Sequence, residues 1–335
     1  MSKPLLEVNN LRVSFFTHAG EVQAVRGATF AVHAGEAVAL VGESGCGKSV
    51  TAQSIMRLIP DPPGKIVGGS ILFQGKDLAQ ATERQMEEIR GNQIGMIFQD
   101  PMTSLNPTMT IGRQIMEGII KHQKVSRQEA KRRAVEMLSL VGIPQPDRRV
   151  NQYPHQFSGG MRQRVMIAIA LACAPRLLIA DEPTTALDVT IQAQIIELMK
   201  ELKEKTGTSI ILITHDLGVV AGLCSRVLVM YAGQIVESGL IREVFYRPRH
   251  PYTYSLLRAV PRLDAKQKTR LASIPGQPPD LISPPKGCSF APRCEFAMRI
   301  CLERPPEEIK LDGNHMARCW LLVEGAPQVK LEGVR

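Results

Sequence analysis

Aromatic side chains make up only 4% of the 335 residues, with a single tryptophan. That is poor equipment for stacking nucleobases, and no dense block of lysine and arginine compensates for it. Long hydrophobic runs are missing too. The longest nearly apolar stretch, residues 165–175, is about half the ~20 residues a membrane-spanning helix needs. The opening Met1-Ser2-Lys3-Pro4-Leu5 lacks the basic-then-apolar layout of a secretory leader. These absences predict a cytosolic chain that does not itself cross a bilayer and takes no nucleic acid as partner. Cysteine is sparse, seven in all, and in that compartment disulfide pairing is not expected. What remains is ordinary: 44% hydrophobic, 22% charged, and a net charge of +9 that reads as general surface basicity, useful beside acidic lipid. The length suits one large domain or two.

One stretch organises the rest. Gly42-Glu43-Ser44-Gly45-Cys46-Gly47-Lys48-Ser49 has the spacing G-x-x-x-x-G-K-[ST]. The apolar residues before it, 36–41, read as a buried strand, and residues 50–59 read as a helix halted by Pro60. In that context glycines let the backbone curl so that N–H groups face phosphate oxygens, and the helix start at Val50 adds partial positive charge. Ser44, Gly45, Cys46, Gly47 and Val50 are expected around a nucleotide. Lys48 supplies a charge for the β- and γ-phosphates, and the Ser49 hydroxyl is a ligand for Mg²⁺. Cys46 contributes backbone only, and as an accessible thiol it would leave the loop open to thiol reagents.

Along the chain, residues 6–16 and 22–32 read as strands. Phe15 or Phe16 either stacks on an adenine or fills the core. Residues 60–64 read as a loop, 69–73 as a short strand and 82–90 as a polar helix. A strand over 93–99 ends on Gln99, which alone reads as a solvated amide. From 100 to 175 the character changes: a loop at 100–107, then helical periodicity over 111–121 and 126–141, the latter opened by Ser126 with Glu129 at the capping-box position. This is a helical insertion. Phe157-Ser158-Gly159-Gly160-Met161 leads into a helix over 161–174, so Ser158, Gly159 and Gly160 form either a second anion-ready helix start or a plain serine cap. Residues 177–180 form a buried strand with Asp181 and Glu182 at its C-terminal end, where parallel α/β sheets bind ligands. Asp181 is placed to hold Mg²⁺ through its water shell, and Glu182 to orient or deprotonate a water. A helix over 189–205 and a strand over 209–214 follow. His215, at the strand's end, either reaches a γ-phosphate or sits as a core histidine.

Together these stretches resemble the ATPase family of the ABC transporters, over residues 5 to about 239. Gly42 to Ser49 resembles its Walker A loop, Gln99 its Q-loop, Phe157 to Met161 its signature motif, and residues 177–182 its Walker B strand with Glu182 the catalytic glutamate. Ala186-Leu187-Asp188 resembles the D-loop, His215 the switch histidine, and Phe15 stands at the adenine-stacking position. The resemblance implies a mixed α/β sheet core, an antiparallel β subdomain and a helical insertion. It also implies Mg²⁺ held by Ser49, Gln99 and Asp181, and head-to-tail dimers clasping ATP between one Walker A loop and the other subunit's signature. The signature departs from the family's usual Leu-Ser-Gly-Gly-Gln: Phe157 and Met161 replace its ends, so an amide contact is lost while the serine and glycines remain.

After about residue 245 a coil-rich extension, 246–335, carries His250-Pro251-Tyr252 and a proline-rich stretch. Both, with residues 98–107, resemble the dipeptide, oligopeptide and nickel importer branch. That resemblance implies an ATPase subunit at the cytoplasmic face of the membrane, pairing with an unlike ATPase, two transmembrane permease subunits and, indirectly, an extracytoplasmic peptide-binding protein. Peptide is favoured over nickel as cargo; the rival class is a soluble ABC-type ATPase acting on ribosomes or DNA. Cys288, Cys294, Cys301 and Cys319 crowd the tail. Four thiolates suit zinc or an iron–sulfur cluster, and spacing alone does not decide, though the missing Cys-x2-Cys knuckle weakens zinc. The resemblance favours [4Fe–4S] over zinc or unmetallated thiols. Cys173 and Cys224 read as core residues.

Overall fold

A computed structural model describes residues 3–185, 187–259, 274–331 and 333. Ala186, part of the expected D-loop, and residues 260–273 of the extension lie outside the described residues. The chain divides into two compact units, each assembled from separate segments.

The first unit comprises Met1–Leu5, Val32–Ala37 and Gln80–Thr214. Its sheet strands Ile94–Ile97, Leu177–Asp181 and Ser209–Thr214 run parallel, with Ile94 opposite Leu177 and Leu177 opposite Ser209. Every residue in the three is buried, as befits strands covered on both faces. Gly95 is required here: a Cβ would stand 2.3 Å from the Ala170 carbonyl oxygen, so the helix Gly159–Leu171 lies directly on the strand. That helix starts two residues before the expected 161, where Ser158 caps it. It also stops three residues short of 174, and Ala174 turns into the left-handed region at φ +52°. The insertion contains Ile111–Gln123 and Arg127–Leu140, the second capped by Ser126 accepting the Glu129 N–H. The expected loop at 100–107 holds a four-residue helix, Pro101–Ser104, in which the Asp100 carbonyl accepts the Thr103 and Ser104 hydroxyls.

The second unit comprises Leu6–Ala31, Val38–Ala79 and His215–Arg335. An antiparallel sheet runs in the order Gly20–Val32, Leu6–Thr17, Gly64–Phe73, Lys76–Asp77. The third strand begins five residues earlier than the alternation at 69–73 suggests. Ala37–Val41 pairs parallel with Arg226–Tyr231, which folds back antiparallel onto Gln234–Leu240. Ala232 and Gly233 at this turn both have positive φ, 47° and 77°, the geometry of a tight hairpin. The tail adds to the same edge: Met316–Ala317 pairs with Gln234–Leu240, and Ile309–Lys310 pairs with Met316–Ala317. These two-residue strands carry no periodicity that sequence reading detects. Among the core residues here, Tyr231, Tyr252 and Phe290 pack ring to ring at 4.5–5.3 Å. Among the described residues no helix is long and apolar enough to cross a membrane.

Candidate active site

The glycine loop lies in the second unit. The helix Lys48–Ile55 begins two residues earlier than its sequence pattern predicts, because Gly47 serves as N-cap at φ +102°. It also ends before Pro60, with Arg57 at φ +49°. Ser44 and Gly45 crown the loop and are exposed, Ser49 and Val50 are half-buried, and Cys46 and Lys48 are buried beneath. Lys48 Nζ donates to the carbonyls of Gly42 and Glu43, both at 2.9 Å, and lies 3.8 Å from the Cys46 sulfur. Incoming phosphate oxygens would take those acceptor places. The expectation that Cys46 is open to reagents is corrected: its residue is 5% exposed and burial pushes the thiol up, against the pull of the Lys48 ammonium. Phe15 is half-buried with its ring against Gly64, where a Cβ would meet Cε1 at 2.8 Å, while Phe16 is 52% exposed. His215 is exposed, and the next residue, Asp216, caps the helix Leu217–Leu223.

The carboxylates lie in the first unit. Asp181 closes its strand and is 4% exposed. Glu182 turns the chain at φ +47°, a left-handed conformation that costs a residue with a side chain about 1–2 kcal/mol. Its N–H donates to the Ile213 carbonyl at 2.9 Å, and its Oε2 accepts both the Gln99 amide and the Thr185 hydroxyl at 2.9 Å. Sequence reading treats Gln99 as a solvated amide when taken alone; the structure joins it to the candidate base. Ser158 Oγ accepts the Met161 N–H at 3.4 Å, so residue 161 contributes a backbone group there. Ser158 and Gly159 are exposed, and a Cβ on Gly159 would meet nothing within 4 Å. Gly160 lies over Ile191, whose N–H Asp188 caps at 2.9 Å.

In the tail, Cys288, Cys294, Cys301 and Cys319 line one small cavity with His250, Phe290 and Trp320. Burial raises the thiols of Cys288, Cys294 and Cys319, and the neighbouring cysteines add to it, taking Cys294 to about 11 and Cys319 to about 12. Among the described residues no three His, Cys, Asp or Glu side chains stand at metal-holding geometry. Cys173 is buried and Cys224 half-buried.

Sequence reading noted the His-Pro-Tyr string without its chemistry. His250 caps the helix Pro251–Arg258, its Nδ1 accepting the Tyr252 N–H at 3.0 Å, and Pro251 fills the first helical position, where no N–H is needed. Full burial lowers the His250 ring to about 3, so it is neutral. Tyr252 Oη then accepts the N–H of Glu43 in the glycine loop at 2.8 Å. A proline that pre-sets a helix start is the only local signal for this.

Two family models match the chain: ABC transporter over residues 25–185, and the oligopeptide/dipeptide transporter C-terminal region over 236–301. The oligopeptide transport ATP-binding protein OppD of Bacillus subtilis is 61% identical over 97% of this chain and 91% of its own length. The dipeptide transport ATP-binding protein DppD of the same organism is 56% identical over 98% of each. Among solved structures, a dimeric ATP-binding cassette in a post-hydrolysis state with ADP and Pi aligns with TM-score 0.64 and 28% identity. It covers 71% of this chain and 99% of the cassette.

Proposed function

Because the chain belongs to the ABC transporter family as an ATP-hydrolysing subunit, we propose that it powers uptake of di- or oligopeptides across the cytoplasmic membrane. It does so from the cytoplasmic face, bound to two permease subunits and paired with a second, unlike ATPase, downstream of an extracytoplasmic peptide-binding protein.

Lys48 and the loop amides bind the triphosphate, with Ser49, Gln99 and Asp181 around Mg²⁺ and Phe15 beside the adenine. Ser158, Gly159 and Gly160 offer N–H groups to the γ-phosphate held by the partner ATPase, with Asp188 at the same junction. Glu182 takes a proton from the attacking water, and His215 steadies the γ-phosphate. Catalysis is placement and charge stabilisation, without a covalent intermediate. The observation that carries this reading is the Gln99–Glu182 hydrogen bond of 2.9 Å. It ties the base to the residue just before the helical insertion, which supports a coupling between ATP hydrolysis and movement of the insertion.

The tail's four cysteines form a donor set that suits a thiolate-held centre, with [4Fe–4S] favoured over zinc. The cavity wall is otherwise largely apolar and aromatic. Such a centre would pull the raised thiols down to thiolates and staple the tail. Iron and sulfide in stoichiometric amounts, with visible absorbance lost in Cys294→Ser, support the cluster; colourless protein with one zinc overturns it.

The function is tested by purifying the chain from solubilised membranes and following labelled-peptide uptake in cells carrying Lys48→Ala. Permease subunits in the complex and loss of peptide uptake are expected. Loss of nickel uptake with normal peptide uptake would move the chain to the metal-importing members of the branch. Recovery of ribosomes or DNA would overturn transport.

A further inference from the structure

The glycine loop is gripped from outside its own motif. Arg293 precedes Cys294 in the tail, and its side chain is 3% exposed. Nη1 and Nη2 bind the two carboxylate oxygens of Glu43 at 2.6 and 2.9 Å, a fork-to-fork pair. Nη1 also reaches Tyr231 Oη at 3.2 Å, Nη2 the Ile274 carbonyl at 3.4 Å, and Nε the Pro275 carbonyl at 2.8 Å. A guanidinium has five N–H donors, and here each has an acceptor. Its Cζ lies 5.8 Å and 5.9 Å from the Tyr231 and Phe290 ring centroids. Lysine would bring a point charge without a fork.

Glu43 is the second residue of the glycine loop, and all its polar groups are engaged. Its carboxylate holds Arg293, its N–H goes to Tyr252, and its carbonyl receives Lys48 Nζ. A loop that must present several amides to phosphate gains most when its backbone is fixed beforehand, since ordering it on binding would be charged against affinity. The glycines cannot do this themselves; Gly45 has no neighbour within 4 Å of its Cβ position.

We propose that Arg293 is a positioning residue for nucleotide binding, acting through Glu43 to hold the glycine loop in its phosphate-ready form. ATP affinity thereby depends on the tail. The inference rests on the phosphate-loop assignment given under the proposed function.

The test uses the full chain with a fluorescent ATP analogue for affinity, and hydrolysis is measured in parallel on the complex purified from solubilised membranes. Arg293→Gln should raise Kd at least about tenfold, the scale of one charge-assisted hydrogen bond. KM should rise to match, with kcat at saturating ATP within about threefold, because placement before binding is lost and the reacting groups are intact. Glu43→Gln should do the same, Arg293→Lys should fall between, and the double variant should be no worse than either single one. A folded Arg293→Gln protein with native Kd and only a lowered melting temperature overturns the proposal. If Arg293→Gln does not fold, native Kd in Glu43→Gln overturns it equally. Lys48→Ala is the control: if that variant keeps ATP affinity, the phosphate-loop assignment fails and this proposal with it. If Lys48→Ala loses affinity while Arg293→Gln keeps it, only the positioning role fails.

Discussion

Gly42→Ala and Gly45→Ala place the same methyl group in one loop and should differ several-fold in cost. At Gly42, φ is +153° and the new Cβ would stand 2.2 Å from the Met230 carbonyl oxygen and 2.8 Å from the Cys46 sulfur. Met230 belongs to the strand Arg226–Tyr231 and cannot retreat without breaking its ladder. Overpacking of this kind costs about 1–3 kcal/mol, and the glycine-only backbone adds about 1–3 kcal/mol, so about 3–4 kcal/mol is expected. At Gly45, φ is +77° and no atom lies within 4 Å of the methyl position. Only the left-handed backbone penalty remains, about 1 kcal/mol. Urea unfolding of the nucleotide-free chain, followed by the fluorescence of Trp320, the single tryptophan, reports on the unit that holds the loop. A gap of about 2–3 kcal/mol between the variants is expected. Equal costs, or a Gly42→Ala protein within about 0.5 kcal/mol of wild type, would refute the reasoning that contact with Met230 dictates this glycine.

Glu182→Gln should keep ATP binding and lower hydrolysis about 10²–10⁴-fold, the contribution of a general base; phosphate release at unchanged rate removes Glu182 from that role. Tyr252→Phe orphans the Glu43 N–H that now meets Oη at 2.8 Å, and should cost about 1–3 kcal/mol in the same urea assay; a loss of a few tenths or less would show that water takes over the hydroxyl's place. His250 titrates at about 6.5 when unfolded and at about 3 in the fold, where burial keeps it neutral. Because its folded value is lowered, its contribution is complete above pH ~6.5 and is lost as pH falls toward about 3, amounting to about 2 kcal/mol by pH 5. Glu237 accepts the His250 backbone N–H at 2.9 Å. His250→Asn keeps a capping oxygen and should flatten that part of the pH dependence; an unchanged profile assigns it to other groups.

What the sequence made legible was local. The glycine loop and the Asp181–Glu182 strand declare themselves because spacing, apolar runs and flanking elements all fall within about ten residues. What it hid were pairings between distant, individually bland residues. Gln99 finds Glu182 across 83 positions, and Arg293 finds Glu43 across 250. Neither glutamine at a strand end nor arginine in a coil has a periodicity that announces a partner. Helix ends escape sequence reading for a related reason: Lys48 and Ser49 belong to the helix because Gly47 adopts a conformation that periodicity does not encode.

The His-Pro-Tyr string marks its branch in sequence, and its physical purpose lies in how it closes a circuit. Glu237 is 1% exposed, and a carboxylate so deeply buried is tolerable only when its oxygens are satisfied. It accepts the N–H groups of Arg249 at 2.7 Å and His250 at 2.9 Å, and pairs with His315 Nε2 of the tail at 2.7 Å. That fixes the start of the helix Pro251–Arg258, which aims Tyr252 at the Glu43 N–H, while Arg293 takes the Glu43 carboxylate. Arg26 ties the hairpin to the tail by donating to the Ala232 carbonyl and to Ser289. A hydrophobic tail would have covered the same edge strand without specifying where the glycine loop sits. Buried, charge-assisted hydrogen bonds are directional, so they fix position as well as energy. The glycine loop is flexible by composition, and the residues that restrain it lie more than 200 positions away, in the segment that distinguishes this branch from a plain ATP-binding cassette.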